Sequence, residues 1–266
     1  MRNMTKLLEI SLGRLIFSAL ALVCGNGHAE SISFYAAAGV KAPAEEIIQA
    51  FERQTRHKVT RFYDTAGEAE VSFVANSQSG VLITTEVRIQ KANIVGGKLA
   101  GGITRRVGDT LAGIAISKKF KAEGAAASLM DSGLTGNLRA TLLAAKRIAF
   151  SDPARGATVG VHFVQVIEKL GIKDAVMAKT VIAKDGIETM KLVANGEVDI
   201  GITQMSEIFQ ADRALLLGAF PAEWELATRY SSWIANDASP AVKSLADAFE
   251  ASDGRAALSK HGLRLP

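Results

Sequence analysis

The stretch Ile32-Ser33-Phe34-Tyr35-Ala36-Ala37-Ala38-Gly39, continued by the helix-like segment to Phe51, decides the fold. It starts as a short strand and shrinks to small residues at Ala38-Gly39. Pro43 follows where the first turn of a helix tolerates proline. Ala44, Ile47, Ile48 and Phe51 then recur at helical spacing. The unit is therefore strand, tight small-residue turn, helix. It repeats at once: Val59-Thr60-Arg61-Phe62-Tyr63 is β-prone, Asp64-Thr65-Ala66-Gly67 is a turn, and a helix is expected from Glu68. Gly80 to Thr84 reads as a third strand. This alternation predicts an α/β structure with a largely parallel sheet.

Downstream, Leu111 to Ser117 reads as a buried strand, followed by a polar, Gly/Ala-rich stretch to Gly136. Arg147 to Phe150 is a strand broken by Ser151-Asp152-Pro153. Residues 155–160 read as a loop before a helix that turns Val161, Val164, Ile167 and Leu170 inward and ends at Gly171. A short strand lies within 178–183. Gly186 opens a helix with Ile187, Met190, Val193 and Ala194 inward, and Asp199 to Thr203 is another strand. Tyr230 to Ala235 is β-like, and the helix after Ser239-Pro240 carries Val242, Leu245 and Phe249 on one face.

The N-terminus has a different character. Arg2, Lys6 and Arg14 precede an uncharged apolar run from Leu15 to Cys24, and Gly27-His28-Ala29 places small residues at a cleavage position. This predicts a secretory signal over residues 1–29 and a periplasmic mature chain. The run is short of the roughly 20 residues that span a bilayer. Val23, directly before Cys24, argues against a lipoprotein signal. Cys24 is the only cysteine, so residues 30–266 hold no disulfide and no thiol nucleophile. The leader carries Arg2, Lys6, Arg14 and Glu9, so half of the net charge of +4 belongs to it. No block of Lys and Arg resembles a nucleic-acid arm.

Three turns share one pattern: Ala38-Gly39, Ala66-Gly67 and Val159-Gly160 each link a strand to a helix, and Gly186 supplies a fourth helix start. Helix N-termini carry unpaired N–H groups and a partial positive charge. Small side chains let an anion reach that backbone. In open α/β sheets such turns lie beyond the carboxyl ends of the strands, where ligands bind. Catalytic signals are weaker. His57 lies in a polar turn, His261 is near the C-terminus, and His162 sits in the first turn of a helix without a paired ligand. There is no metal-ligand spacing, no Gly-x-Ser-x-Gly elbow and no P-loop. Asp152 and Asp185 stand where helix caps are expected. Trp224, Tyr230 and Trp233 read as core or interface residues. The sequence leaves open whether His162, Arg155 or Glu188 faces a ligand.

The same turns carry a family resemblance. The chain resembles the periplasmic molybdate-binding proteins of ABC transporters through the segment from Ile32 to Phe51, Thr65-Ala66-Gly67, Ser151-Asp152-Pro153 with Gly160, Leu170-Gly171-Ile172, and Val193-Ala194-Asn195-Gly196-Glu197-Val198-Asp199-Ile200-Gly201-Ile202. Gly218-Ala219-Phe220-Pro221, Tyr230 and the Pro240 helix extend it to the end of the chain. The resemblance implies a two-lobed, type 2 periplasmic-binding-protein fold, with mixed sheets flanked by helices and a ligand cleft between the lobes. The first lobe would comprise 30–111 and 204–266, and the second 112–203. It also implies closure by a hinge, an ABC permease as partner, a monomer, and no cofactor or metal.

Residue by residue, the resemblance places Gly39 and Ala66, with Thr65 before it, where the family usually has two ligand-binding serines. It implies a backbone N–H contact at Val159, another near Gly186, and Gln204 in place of a tyrosine. Both serine hydroxyls and that phenol are thus replaced. The expected function is capture of a small oxyanion such as molybdate or tungstate. The alternatives are an organic anion on the same scaffold, a sensory or accessory binding protein, and a secreted enzyme. A cleft lined by Gly, Ala, Thr, Val and Gln lacks the convergent titratable groups of an enzyme.

Overall fold

In the computed structural model, residues 29–76, 80–94, 99–122 and 138–266 are described. Residues 1–28 of the expected signal segment, and most of the polar stretch to Gly136, lie outside them. Among the described residues no helix is long and apolar enough to cross a membrane.

The first layer follows the opening pattern. Strand β1 (Ser31–Ala37) buries alternate residues and pairs in parallel with β2 (Lys58–Asp64) and β3 (Val81–Thr85). Parallel neighbours need crossovers, and these are helices α1 (Lys41–Thr55) and α2 (Ala66–Ala75). Helix α1 buries Pro43, Ala44, Ile47, Ile48 and Phe51, the stripe read from the sequence. They share a core with Phe34 and with Val242 and Leu245 of the later helix Pro240–Ala248. Phe34 stacks on Phe249 at 5.6 Å. Helix α3 (Glu86–Ile94) follows β3.

Strand β4 (Gly102–Ile116) is far longer than the expected Leu111–Ser117. Its first half escapes a hydrophobicity reading because Arg105, Arg106 and Asp109 interrupt it. These side chains pair at the surface, Arg105 with Asp247 and Arg106 with Asp109 at 2.7 Å. β4 also changes partner along its length. From Gly102 to Leu111 it pairs with β9 (Ala227–Ala235), and from Ala112 onward with β7 (Ile200–Gln204). One strand thus runs through both halves of the sheet, whose order is β2-β1-β3-β9-β4-β7 followed by the strands Ile148–Ser151 and Thr180–Ala183.

The second half adds β5 (Ile148–Ser151), parallel to both β6 (Thr180–Ala183) and β7. Short helices α4 (Lys118–Ala122) and α5 (Leu138–Ala144) precede β5. Helix α6 (Thr158–Lys169) follows it, and α7 (Lys173–Met177) and α8 (Gly186–Ala194) flank β6. Helix α6 corrects the sequence reading twice. It starts at Thr158, so Val159 and Gly160 belong to its first turn and not to a loop. Its buried face is Val159, Gly160, Phe163, Val166 and Ile167, while Val161 is exposed. The bulk of Phe163, packed edge-on to Phe150 at 5.0 Å, sets the rotation of the helix. In α8, Met190 and Val193 are buried as expected, but Ala194 is exposed.

Residues 205–226 link β7 to β9. Within them, residues 216–224 pack against the second half of the sheet. Strand β8 (Leu216–Ala219) pairs with β4 at Gly113 to Ala115. Phe220 joins the core formed by Phe150, Phe163 and Ile202, with Trp224 packed against it. The chain returns to the first half only at β9. Helices α9 (Met205–Ala211), α10 (Pro240–Ala248) and α11 (Ser252–Lys260) complete the molecule.

Candidate functional site

The carboxyl ends of β1, β2, β5 and β7 face one another across the junction of the two halves. There they enclose a cavity of about 30 Å³. A water needs about 10–15 Å³ of such space, so the cavity suits a compact group of a few heavy atoms. All six residues singled out from the sequence line it: Gly39, Thr65, Ala66, Val159, Gly186 and Gln204. Strands from both halves bring them together although they span most of the chain.

Helix starts dominate the wall. The 3-10 turn Ala38–Val40, which leads into α1, has Ala37 as its N-cap and no side-chain cap. Helix α6 has Ala157 as its N-cap, again with no side-chain bond. An uncapped start leaves its first N–H groups without intrahelical partners. Helix α2 is half-capped: Thr65 Oγ1 accepts from Glu68 N at 3.2 Å, which leaves the first-turn N–H groups of Ala66 and Gly67 free of that cap. Helix α8 differs, because Asp185 caps it by accepting from Glu188 N at 2.8 Å. Among the lining residues none is Lys or Arg. Positive potential in the cavity therefore comes from the backbone.

Three titratable side chains line this space, Asp64, Glu207 and Tyr230, where the sequence reading expects a wall of Gly, Ala, Thr, Val and Gln. The Tyr230 hydroxyl lies over Gly39, so that even a methyl group on Gly39 would collide with it. Burial, and secondarily the charge of Glu207, hold the phenol well above its ordinary pKa, so it remains a donor. Beside Gly39, Ser206 Oγ is buried without a hydrogen-bond partner among the described residues. Glu207 is buried, and its Oε2 accepts from Thr203 Oγ1 and from Gln204 N, the latter at 3.1 Å. Sequence reading placed Tyr230 in the core or an interface and did not single out Glu207. Gln204, expected to replace a phenol, spends its Nε2 on Thr228 Oγ1 at 2.8 Å. The phenol at the cavity comes instead from β9. Tyr230→Phe removes one donor and no volume. It is expected to weaken oxyanion binding about tenfold or more, the worth of a hydrogen bond to charge at about 1.5–3 kcal/mol, with the melting temperature of the free protein nearly unchanged; titration calorimetry and a melting curve check this.

A second cluster closes the mouth. Arg155 Nη2, from the loop after β5, donates to both oxygens of Asp64 at 3.0 and 2.8 Å. Lys184 Nζ lies 3.3 Å from the same carboxylate, and Thr65 Oγ1 donates to the Arg155 carbonyl. Arg155 therefore bridges the two halves and does not line the cavity. Gly67 meets Gly156 there; Gly156 has φ +73°, a left-handed conformation suited to glycine. His162 turns away, with Nε2 2.8 Å from the Trp224 carbonyl oxygen. Glu188 is exposed and accepts from Lys184 N at 2.5 Å. Asp152 and Asp185 are the expected caps. His57 stacks on Phe51 at 5.8 Å and takes no part in the site. Among the described residues no group of three His, Cys, Asp or Glu is placed to hold a metal ion.

Two sheets sharing crossover strands, with a ligand-sized cavity at the strand ends between them, define a type 2 periplasmic binding protein. A family model described as bacterial extracellular solute-binding protein matches residues 32–264, and the chain belongs to that family. It is similar to the molybdate-binding protein ModA of Azotobacter vinelandii, at 28% identity over 212 residues and 76% of each chain. The solved A. vinelandii periplasmic molybdate-binding protein shares the fold with a TM-score of 0.70 at 19% identity, covering 88% of this chain and 99% of that one. A putative phosphate transporter substrate-binding protein from Clostridium perfringens, solved with bound phosphate, matches at a TM-score of 0.59 and 14% identity, over 89% and 99% of the two chains. These relatives are solute-binding proteins, and the resemblance read from the sequence holds at that level.

Proposed function

We propose that this protein is the periplasmic binding protein of an ABC importer and that it closes over one small tetrahedral oxyanion, with molybdate and tungstate as first candidates. The observation that carries this reading is the meeting of three uncapped or half-capped helix starts in a cavity of about 30 Å³. In this reading backbone N–H groups near Gly39, Ala66 and Val159 hold the oxygens, aided by Tyr230. Gly186 and Gln204 shape the opposite wall. The lobes hinge where β4 exchanges partners at Leu111/Ala112 and where the chain enters β9 at Ala227. The small cavity disfavours the organic-anion alternative, because a larger ligand would hold the lobes apart. Its relatives are solute-binding proteins, which supports action as a carrier. Residues 1–29 serve as the export signal, and the closed monomer docks on a permease.

A thermal-shift screen of residues 30–266 tests this proposal against molybdate, tungstate, sulfate, phosphate and small carboxylates. A ligand at 100 times its Kd stabilises by about 2.7 kcal/mol, or about 5–11 °C for a chain of this size. A shift with a tetrahedral oxyanion is expected. Shifts with carboxylates alone would replace the ligand class, and no shift at all would remove the oxyanion reading.

A further inference from the structure

We propose that Glu207 makes ligand capture proton-coupled: the closed site holds one oxyanion and one proton together, the proton shared between the ligand and the Glu207 carboxylate. This deepens the oxyanion reading above and rests on it.

The geometry sets the problem. Glu207 is buried, lines the same cavity as the helix starts, and packs against the Cα of Gly186. Its Oε2 is held by Thr203 Oγ1 and Gln204 N, while Oε1 has no hydrogen-bond partner among the described residues. The groups that face it bring no cation. Asp185, at the start of α8, adds negative charge, and Tyr230 is a neutral phenol. The turn before α1 presents Ala38, Gly39 and Val40. From β4 come Thr110, whose hydroxyl accepts from Ser206 N, and Gly113, against Met205 and Ile208. Arg213, after α9, is drawn away to the ring of Phe209 and the Lys260 carbonyl. Burial already pushes the Glu207 carboxyl up to about 7. A bound dianion beside it raises it further, because two like charges in one dry cavity disfavour each other.

An ionised Glu207 would therefore oppose any fully ionised oxyanion. A protonated Glu207 keeps Oε2 as the acceptor for Thr203 and Gln204 and donates from Oε1 to the ligand. Molybdate must draw this proton from solvent. Monohydrogen phosphate brings its own and donates it to the carboxylate. The residue thus sets which protonation state of an oxyanion the site takes.

Calorimetric titrations of residues 30–266 with molybdate and with phosphate, at pH 6 and pH 8 in two buffers of different ionisation enthalpy, read the proton count. Near pH 8 the expected result is uptake of close to one proton per molybdate and none per phosphate. Above pH 7.5 molybdate affinity should fall about tenfold per pH unit, following proton linkage. Glu207→Gln mimics the protonated carboxyl, so its molybdate affinity should be flat with pH and exceed that of the unaltered protein at pH 8 by about tenfold. Binding of molybdate by the unaltered protein without proton uptake and with pH-independent affinity would overturn the inference while leaving the oxyanion function standing, whether or not the variant folds. Failure to bind any oxyanion at either pH would overturn both.

Discussion

Gly67→Val is expected to lower oxyanion affinity at least a hundredfold while the free protein melts within a degree or two of the parent. A Cβ at position 67 would lie 2.6 Å from the Arg155 carbonyl oxygen and 2.9 Å from the Gly156 Cα. Both are backbone atoms of the other lobe, so neither can swing aside as a side-chain tip could. The third neighbour, Arg88 Nη2 at 3.0 Å, is the flexible end of a side chain from the same lobe. On the proposed hinge closure, the collision arises only when the lobes are shut. Position 67 is in the first turn of α2, where valine is tolerated better than in a helix interior. If the shut form falls to about 1% of the population, apparent affinity falls by about that factor. Calorimetry measures the loss, and a melting curve shows that the chain still folds. Unchanged affinity would mean that the ligand does not require the closed arrangement.

Asp64→Ala is expected to weaken binding about tenfold to a hundredfold, for a different reason. The Asp64 carboxylate is buried and accepts from Thr65 N at 2.8 Å as well as from Arg155 and Lys184. Two effects oppose each other in this variant. The anion loses a negative neighbour, which favours binding. The closed form loses the carboxylate that joins its lobes, which disfavours it. Arg155 and Lys184 already neutralise Asp64, so the second effect is the larger. Hydrogen bonds to charge are worth about 1.5–3 kcal/mol each, and here that must be discounted because both cations are partly exposed to water. X-ray scattering should show that the variant stays open at ligand concentrations that close the parent. Tighter binding in this variant would show that the local charge outweighs the latch.

The parts of the site legible in the sequence were those carried by local backbone. Ala38-Gly39 and Ala66-Gly67 stand out because the same small-residue turn recurs between a strand and a helix, and Ala38, Gly39 and Ala66 line the cavity. Gly186 was visible as a helix start next to an acidic cap. The illegible parts depend on partners distant in sequence. Tyr230 looks like any aromatic residue on a buried strand, and only the β3-β9-β4 pairing carries it over Gly39. Arg155 and Asp64 are 91 residues apart, and their meeting follows from how the second half sits on the first. Glu207 reads as an ordinary acidic residue in a helical first turn, which it also is. Its second property, burial at a ligand wall, comes from Gly186 and Thr203 packing around it. The length of β4 was hidden by two adjacent arginines, and the return point of the chain by β8, too short to announce which sheet it joins.

In the proposed closed form, backbone N–H groups of both lobes hold one oxyanion between them. Co-crystals of residues 30–266 with tungstate test it most directly, because the anomalous signal of the metal locates the ligand without reference to shape. A single strong peak is expected in the cavity, with oxyanion oxygens about 3 Å from backbone nitrogens near Gly39, Ala66 and Val159. A peak at surface lysines with the cavity unoccupied, or no ordered tungsten at saturating concentration, would contradict it.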